Sequence, residues 1–124
     1  MKVYGDGQQT RCFCYVKDTV EALLRLQACP AARGQVFNVG GTDEISIQAL
    51  ARLVIEILGS KSPIEFVPYG EAYAPGFEDM RRRKPVVEKL AATTGFRPTT
   101  PLREIIELTA ASVDVGTHLD PRAL

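Results

Sequence analysis

Neither sign of charge is in excess. The 15 Lys and Arg balance 15 Asp and Glu, and the formal net charge is zero at neutral pH. No chain-wide field remains to attract nucleic acid or an anionic membrane surface, so neither is expected as a partner. No apolar run is long enough to cross a bilayer. The opening Met1-Lys2-Val3-Tyr4-Gly5-Asp6-Gly7 lacks the apolar stretch of a secretion signal. Cysteine is scarce and odd in number (Cys12, Cys14 and Cys29) and shows no paired spacing, which argues against a disulfide framework. A metal centre is equally short of ligands, because His118 is the sole histidine and stands far along the chain. These absences point to a cytoplasmic chain with reduced, partly buried thiols. Cys12 and Cys14 are two residues apart, so in a strand they share a face.

The 124 residues, 45% of them hydrophobic, suit one domain with a core of its own. Tyr4 to Gln8 carries a turn signal with two glycines, and Arg11 to Tyr15 suits a short strand or extended segment. A helix is expected over about Val16 to Ala28, where Val16, Val20, Leu23 and Leu24 recur with helical spacing. Val36 to Val39 reads as a short buried strand stopped by Gly40-Gly41. Ser46 caps a second helix, whose stripe is Ile47, Leu50, Ala51, Val54, Ile57 and Leu58 and whose C-terminal cap is Gly59. Leu53 and Ile55 lie off that stripe and suggest cover on a second side. Ile64 to Val67 alternates as a strand does, Tyr69 to Arg83 reads as a polar loop, and Val86 to Thr94 reads as a helix ended by Gly95. Thr100-Pro101 supplies the cap and first residue of a fourth helix, and Ser112 to Leu124 reads as a frayed tail. The expected fold class is therefore α/β in the mixed α+β sense, with a short incomplete sheet and four helices.

Four segments carry more information than periodicity. Val3 to Asp18 resembles V-Y-G-D-G-x-Q-T-R-x-F-x-Y-V-x-D. Val36-Phe37-Asn38-Val39-Gly40 resembles F-N-V-G. Phe77 to Pro85 resembles F-E-D-M-x-R-R-x-P-D, followed by Gly95-Phe96-Arg97-Pro98 as G-[WF]-x-P. Together they resemble the NAD-dependent epimerase/dehydratase family, the extended short-chain dehydrogenases that act on sugar nucleotides, UDP-glucuronate decarboxylases among them. The resemblance implies a substrate-binding C-terminal region over residues 3–111, with 112–124 as tail, and a protein lacking the family's N-terminal Rossmann half. It implies a nucleoside-diphosphate sugar, UDP-sugar favoured, as ligand. It places Arg11 and Arg83 on the diphosphate, Tyr4 beside the base, and Asn38 on ribose or sugar hydroxyls, with Arg82 flanking Arg83. Planar guanidinium groups suit phosphate because they donate paired, charge-assisted hydrogen bonds.

Each of these residues also has a plainer reading. Arg81-Arg82-Arg83-Lys84 is a solvated charge run in most chains, Tyr4 and Phe13 are core aromatics by default, and Asn38 can satisfy backbone in a turn. Glu78 and Asp79 read most simply as ion-pair partners of the arginines that follow. Two departures from the family pattern bear on function. Val86 stands where the family has Asp after Pro, which removes an acid that helps orient the arginine loop. No G-x-x-G-x-x-G turn is present, and no Tyr-x-x-x-Lys: Tyr4, Tyr15, Tyr69 and Tyr73 are followed four residues later by Gln8, Thr19, Tyr73 and Phe77. The chain is thus expected to bind no NAD alone and to catalyse no hydride transfer. The resemblance also sets Val36 to Val39 in a large parallel sheet in intact relatives. Without that sheet an apolar face is exposed, which implies a homo-oligomer or docking onto a separate cofactor-binding domain. An interaction module, or a remnant without a ligand, is the alternative function.

Overall fold

A computed structural model of the chain describes residues 1–72 and 79–113. Strand β1 (Lys2–Tyr4) pairs in parallel with β4 (Glu65–Val67), matching Val3 to Phe66. Strand β2 (Thr10–Cys12) pairs antiparallel with β3 (Glu44–Ser46), matching Arg11 to Ile45 and Cys12 to Glu44. The helices of the described residues are α1 (Val16–Ala28), α2 (Ile47–Ile57), a single turn α3 (Tyr69–Ala72), α4 (Glu88–Thr94) and α5 (Leu102–Ser112), with a 3₁₀ turn at Pro30–Ala32. The mixed α/β class and the four longer helices agree with the sequence. Expected as loop, Tyr69 to Ala72 is instead the α3 turn, and residues 73–78 of that loop lie outside the described residues. Beyond Val113, the proposed tail lies outside them too.

Local chemistry accounts for most element ends. Ser46 Oγ accepts the Ala49 amide at 3.1 Å and starts α2. Gly59 follows α2 at φ 57°, and Gly95 closes α4 at φ 68°, a left-handed conformation that glycine adopts without cost. The last cap falls one residue later than the Thr100-Pro101 reading. Pro101 is itself the cap of α5, and the Thr100 amide is instead tied to Asp18 of α1 at 3.1 Å.

Helix α2 packs on both β1 and α5, and this two-sided cover explains the half-buried Leu53 and Ile55. Helix α1 packs on α4. The core is small: Val3, Ala22, Ala51, Val87 and Leu90 are 5% exposed or less. The α1 stripe of Val16, Val20, Leu23 and Leu24 is between 49% and 65% exposed, because α1 turns Ala22 rather than this stripe inward. One reading is corrected here: Val36 to Val39, expected as a short buried strand, forms no ladder with any described strand, and Val36 is 84% exposed. A run of apolar residues gains the character of a buried strand only when neighbours cover it.

Candidate functional site

The arginine run lies beside β2. The Thr10 amide donates to the Arg81 carbonyl at 2.8 Å, and a parallel bridge links Thr10 to Arg82. This one attachment sends successive side chains in different directions. Arg81 NH1 meets Asp6 Oδ2 at 2.7 Å. Arg82 crosses to β3 and grips Glu44 with both arms of its fork, Nε to Oε1 at 2.7 Å and NH2 to Oε2 at 2.5 Å. Lys84 Nζ lies 3.7 Å from the same carboxylate. Hydrogen bonding from Arg82 holds the Glu44 carboxyl down to about 2, and Arg81 likewise lowers Asp6. Arg83 makes no ion pair among the described residues.

Arg11 is more enclosed. Its NH1 donates to the Thr10 and Met80 carbonyls at 2.7 and 2.9 Å, and its NH2 pairs with Asp79 Oδ1 at 2.5 Å. Tyr69 donates its hydroxyl to the other Asp79 oxygen at 3.3 Å, and burial, followed by the nearby Asp79 charge, pushes the phenol up. Asp79 is therefore an ion-pair partner as expected, but of Arg11 rather than of the arginines that follow it. Glu78 lies outside the described residues.

Arg11 and Arg83, far apart in sequence, line one open groove of about 540 Å³ together with Lys84, Cys12 and Cys14. Val39, Gly40 and Pro85 complete its wall. That volume lies within the range of small-molecule sites. Gly40, in the wall, and Gly41 behind it are both tightly packed. A Cβ at Gly40 would stand 2.9 Å from Pro85 Cγ, and one at Gly41 would overlap the Phe13 carbonyl oxygen. F-N-V-G-G thus has a packing role: its glycines let the Pro85 segment close on Gly40 and the β2 extension close on Gly41.

The other nominated residues sit elsewhere. Tyr4, in β1, is 41% exposed and is not among the groove's lining residues. Arg82 lines a neighbouring groove with Thr42 and Arg97, its guanidinium held by Glu44. Asn38 donates to the Val86 carbonyl at 3.2 Å, so it anchors backbone as its plainer reading had it. That bond also ties down the loop at the position where the family acid is missing. Lys84 and the carboxylates of Asp79 and Glu44 are members of the site that sequence reasoning did not nominate. Lys84 was legible as part of the basic run, whereas Glu44 carried no local signal.

The N-terminal glycine turn is packed against side chains. Gly5 and Gly7, at φ 72° and 69°, are the glycines nearest to a phosphate-binding turn. A Cβ at Gly5 would stand 2.6 Å from the Tyr69 ring, and one at Gly7 would stand 3.0 Å from Val3 and Gln48 side chains. Both face packed side chains rather than an open cradle for a pyrophosphate. Among the described residues no cluster of His, Cys, Asp and Glu could hold a metal ion. No helix among them is long and apolar enough to cross a membrane.

A small α/β unit with a basic groove is the class that this geometry defines. Residues 1–40 match the family model described as NAD dependent epimerase/dehydratase family. The chain is 44% identical over 96 residues to UDP-N-acetyl-alpha-D-glucosaminuronate decarboxylase of Bacillus cytotoxicus, a match covering 77% of this chain and 30% of that protein. It is 36% identical over 108 residues to UDP-glucuronic acid decarboxylase 4 of Arabidopsis thaliana, covering 87% and 23%. Among solved structures it is similar to UDP-glucose 4-epimerase of Thermotoga maritima with UDP-glucose, at TM-score 0.73 and 28% identity, over 90% of this chain and 33% of that one. It is also similar to dTDP-glucose 4,6-dehydratase of Bacillus anthracis in complex with NAD, at TM-score 0.74 and 25% identity, covering 89% and 33%. The chain belongs to the NAD-dependent epimerase/dehydratase family. It spans about a third or less of the length of these relatives.

Proposed function

We propose that the chain is the nucleotide-sugar-binding portion of an enzyme of this family, and that its basic groove receives the diphosphate of a nucleoside-diphosphate sugar, UDP-sugars foremost. The observation that carries this reading is the meeting of Arg11 and Arg83 in one groove beside Lys84. Arg83 is the principal grip, since its fork is not committed to a carboxylate among the described residues. Lys84 adds a point charge, and Arg11 shapes the wall while Asp79 occupies one arm of its guanidinium. Transient oxidation of the sugar by NAD would need a cofactor cradle and a base that the described residues do not supply, so the chain alone is expected to bind without turnover. With part of a pocket, affinity is expected near ~1 mM, or about −4 kcal/mol. Titration of UDP followed by NMR tests the assignment. Shifts should cluster at the amides around Arg83, Lys84 and Cys14, and shifts confined to other regions would reject it.

A second reading, compatible with the first, is favoured by the exposed α1 stripe and Val36. These surfaces suit self-association, or docking onto a cofactor-binding domain carried elsewhere.

A further inference from the structure

We propose that the basic groove is also a thiol-modification site, in which Cys14 takes up an anionic low-molecular-weight disulfide as a mixed disulfide under the guidance of Arg83 and Lys84. The proposal goes beyond nucleotide binding and uses the groove's thiols and cations whether or not a nucleotide enters. Its basis is a juxtaposition: two free thiols line the same groove as three cationic side chains. Extended chain turns Cys12 and Cys14 to one side, and Phe13 between them lines an apolar groove between α2 and α5.

The two thiols are not equivalent. Cys12 lies within β2 opposite Glu44, and burial together with the Glu44 charge raises its pKa, which favours the unreactive thiol. Cys14 lies beyond the ladder, with no carboxylate paired across from it, and its Sγ stands 3.5 Å from the Thr19 hydroxyl, which also bonds the Tyr15 carbonyl at 3.3 Å. A reagent carrying carboxylates is concentrated by the groove's cations, an effect worth about 10-fold or more in encounter rate at low salt. In the step itself the Cys14 thiolate attacks one sulfur of the disulfide. The S–S bond breaks, the new Sγ–S bond forms, and the other half leaves as a thiolate that takes up the proton Cys14 had released. Cys14 is oxidised and the departing half is reduced, so the balance closes with no further reactant. Two residues of extended chain span about 6.6 Å, the outer limit for a disulfide, so Cys12 is poorly placed to expel the adduct.

The test compares oxidised glutathione, which is anionic, with cystamine, which is cationic. Each is reacted with the full chain at low ionic strength, and adducts are located by peptide mass spectrometry. The Cys14 adduct should form about tenfold faster with oxidised glutathione. That preference should fall toward unity at ~0.5 M salt, and also in an Arg83→Ser, Lys84→Ser double variant. Cys29, whose thiol donates to the Thr93 carbonyl at 3.6 Å outside the groove, should show no such preference. Equal rates for the two reagents at low salt, or first reaction at Cys12 or Cys29, would overturn the proposal. The salt arm uses the unaltered chain and decides the matter even if the double variant does not fold. Direct titration with UDP separates failure of this proposal from failure of the nucleotide reading.

Discussion

Arg11 NH2 and Asp79 Oδ1 meet at 2.5 Å, and this pair joins β2 to the segment that carries the arginine run. Both side chains are less than a quarter exposed. With two further bonds from NH1 to backbone carbonyls, Arg11 is a fastener of the groove before it is a ligand for phosphate. Arg11→Ala should therefore destabilise the chain by about 1.5–3 kcal/mol, the range for charge-assisted bonds whose partners are left unpaired. Urea denaturation measures it. Unchanged stability with lost UDP binding would assign Arg11 to the ligand alone.

Arg83 and Arg82 are neighbours with opposite expectations. Arg83→Ala should weaken UDP binding by roughly 1.5–3 kcal/mol while leaving stability within about 0.5 kcal/mol, because it abandons no carboxylate among the described residues. Arg82→Ala should leave UDP affinity nearly unchanged, since its fork is occupied by Glu44. Parallel NMR titrations of the two variants check the contrast, and equal losses of affinity would refute it.

Glu44 gives a pH signature. Its folded pKa, about 2, lies below the ordinary 4.5, chiefly through its hydrogen bonds with Arg82. A lowered carboxyl pKa stabilises the fold above the unfolded value, and that contribution is lost as pH falls from about 4.5 through about 2. In Arg82→Ala the Glu44 midpoint should rise toward 4.5, with the acid-side loss of stability shrinking accordingly. Carboxyl carbon shifts followed against pH report the midpoint directly. A midpoint that stays put in the variant would show that Arg82 is not the cause.

Gly41 tests by sterics alone the packing of the β2 extension beside the groove. A methyl group there overlaps the Phe13 carbonyl oxygen, and backbone cannot swing aside as the end of a long side chain can. Gly41→Ala should cost about 1–3 kcal/mol, the usual range for overpacking. At Gly34, where a Cβ meets nothing within 4 Å, the same change removes no space but is strained by its φ of 69°. Thermal melts of Gly41→Ala against the parent chain check the claim, and an unchanged melting temperature would sink it.

Helix ends were legible because capping is local: Ser46, Gly59 and Gly95 act on residues within one turn. Strands β1 and β3 were not legible. Each is three residues long, and each is fixed by a partner distant in sequence, Lys2 by Glu65 and Glu44 by Cys12. The α1 stripe shows a related limit, since periodicity reveals that a helix has an apolar face but not what that face meets. At the candidate site, Arg11 and Arg83 could be named from motif context. Glu44 could not, because only the fold brings it to Arg82 and Lys84.

The exposed face of α1 leads to the last expectation. Val16, Val20, Leu23 and Leu24 lie on one side of the helix and meet water, and Val36 is also exposed. Covering a few hundred square ångströms of such surface is worth several kcal/mol at roughly 25 cal/mol per Å², comparable with the whole stability of a small domain. In the absence of another chain, a twofold contact between two copies covers the face at least structural cost, because one patch then serves as both partners. Sedimentation at several concentrations should show a mass that rises with concentration. Val20→Lys with Leu24→Glu should yield a monomer of undiminished stability, since both side chains are already exposed. A single monomeric species of the parent chain at high micromolar concentration would show instead that the stripe tolerates water or is covered within the chain. The same two substitutions should leave the UDP titration unchanged, because neither residue lines the basic groove.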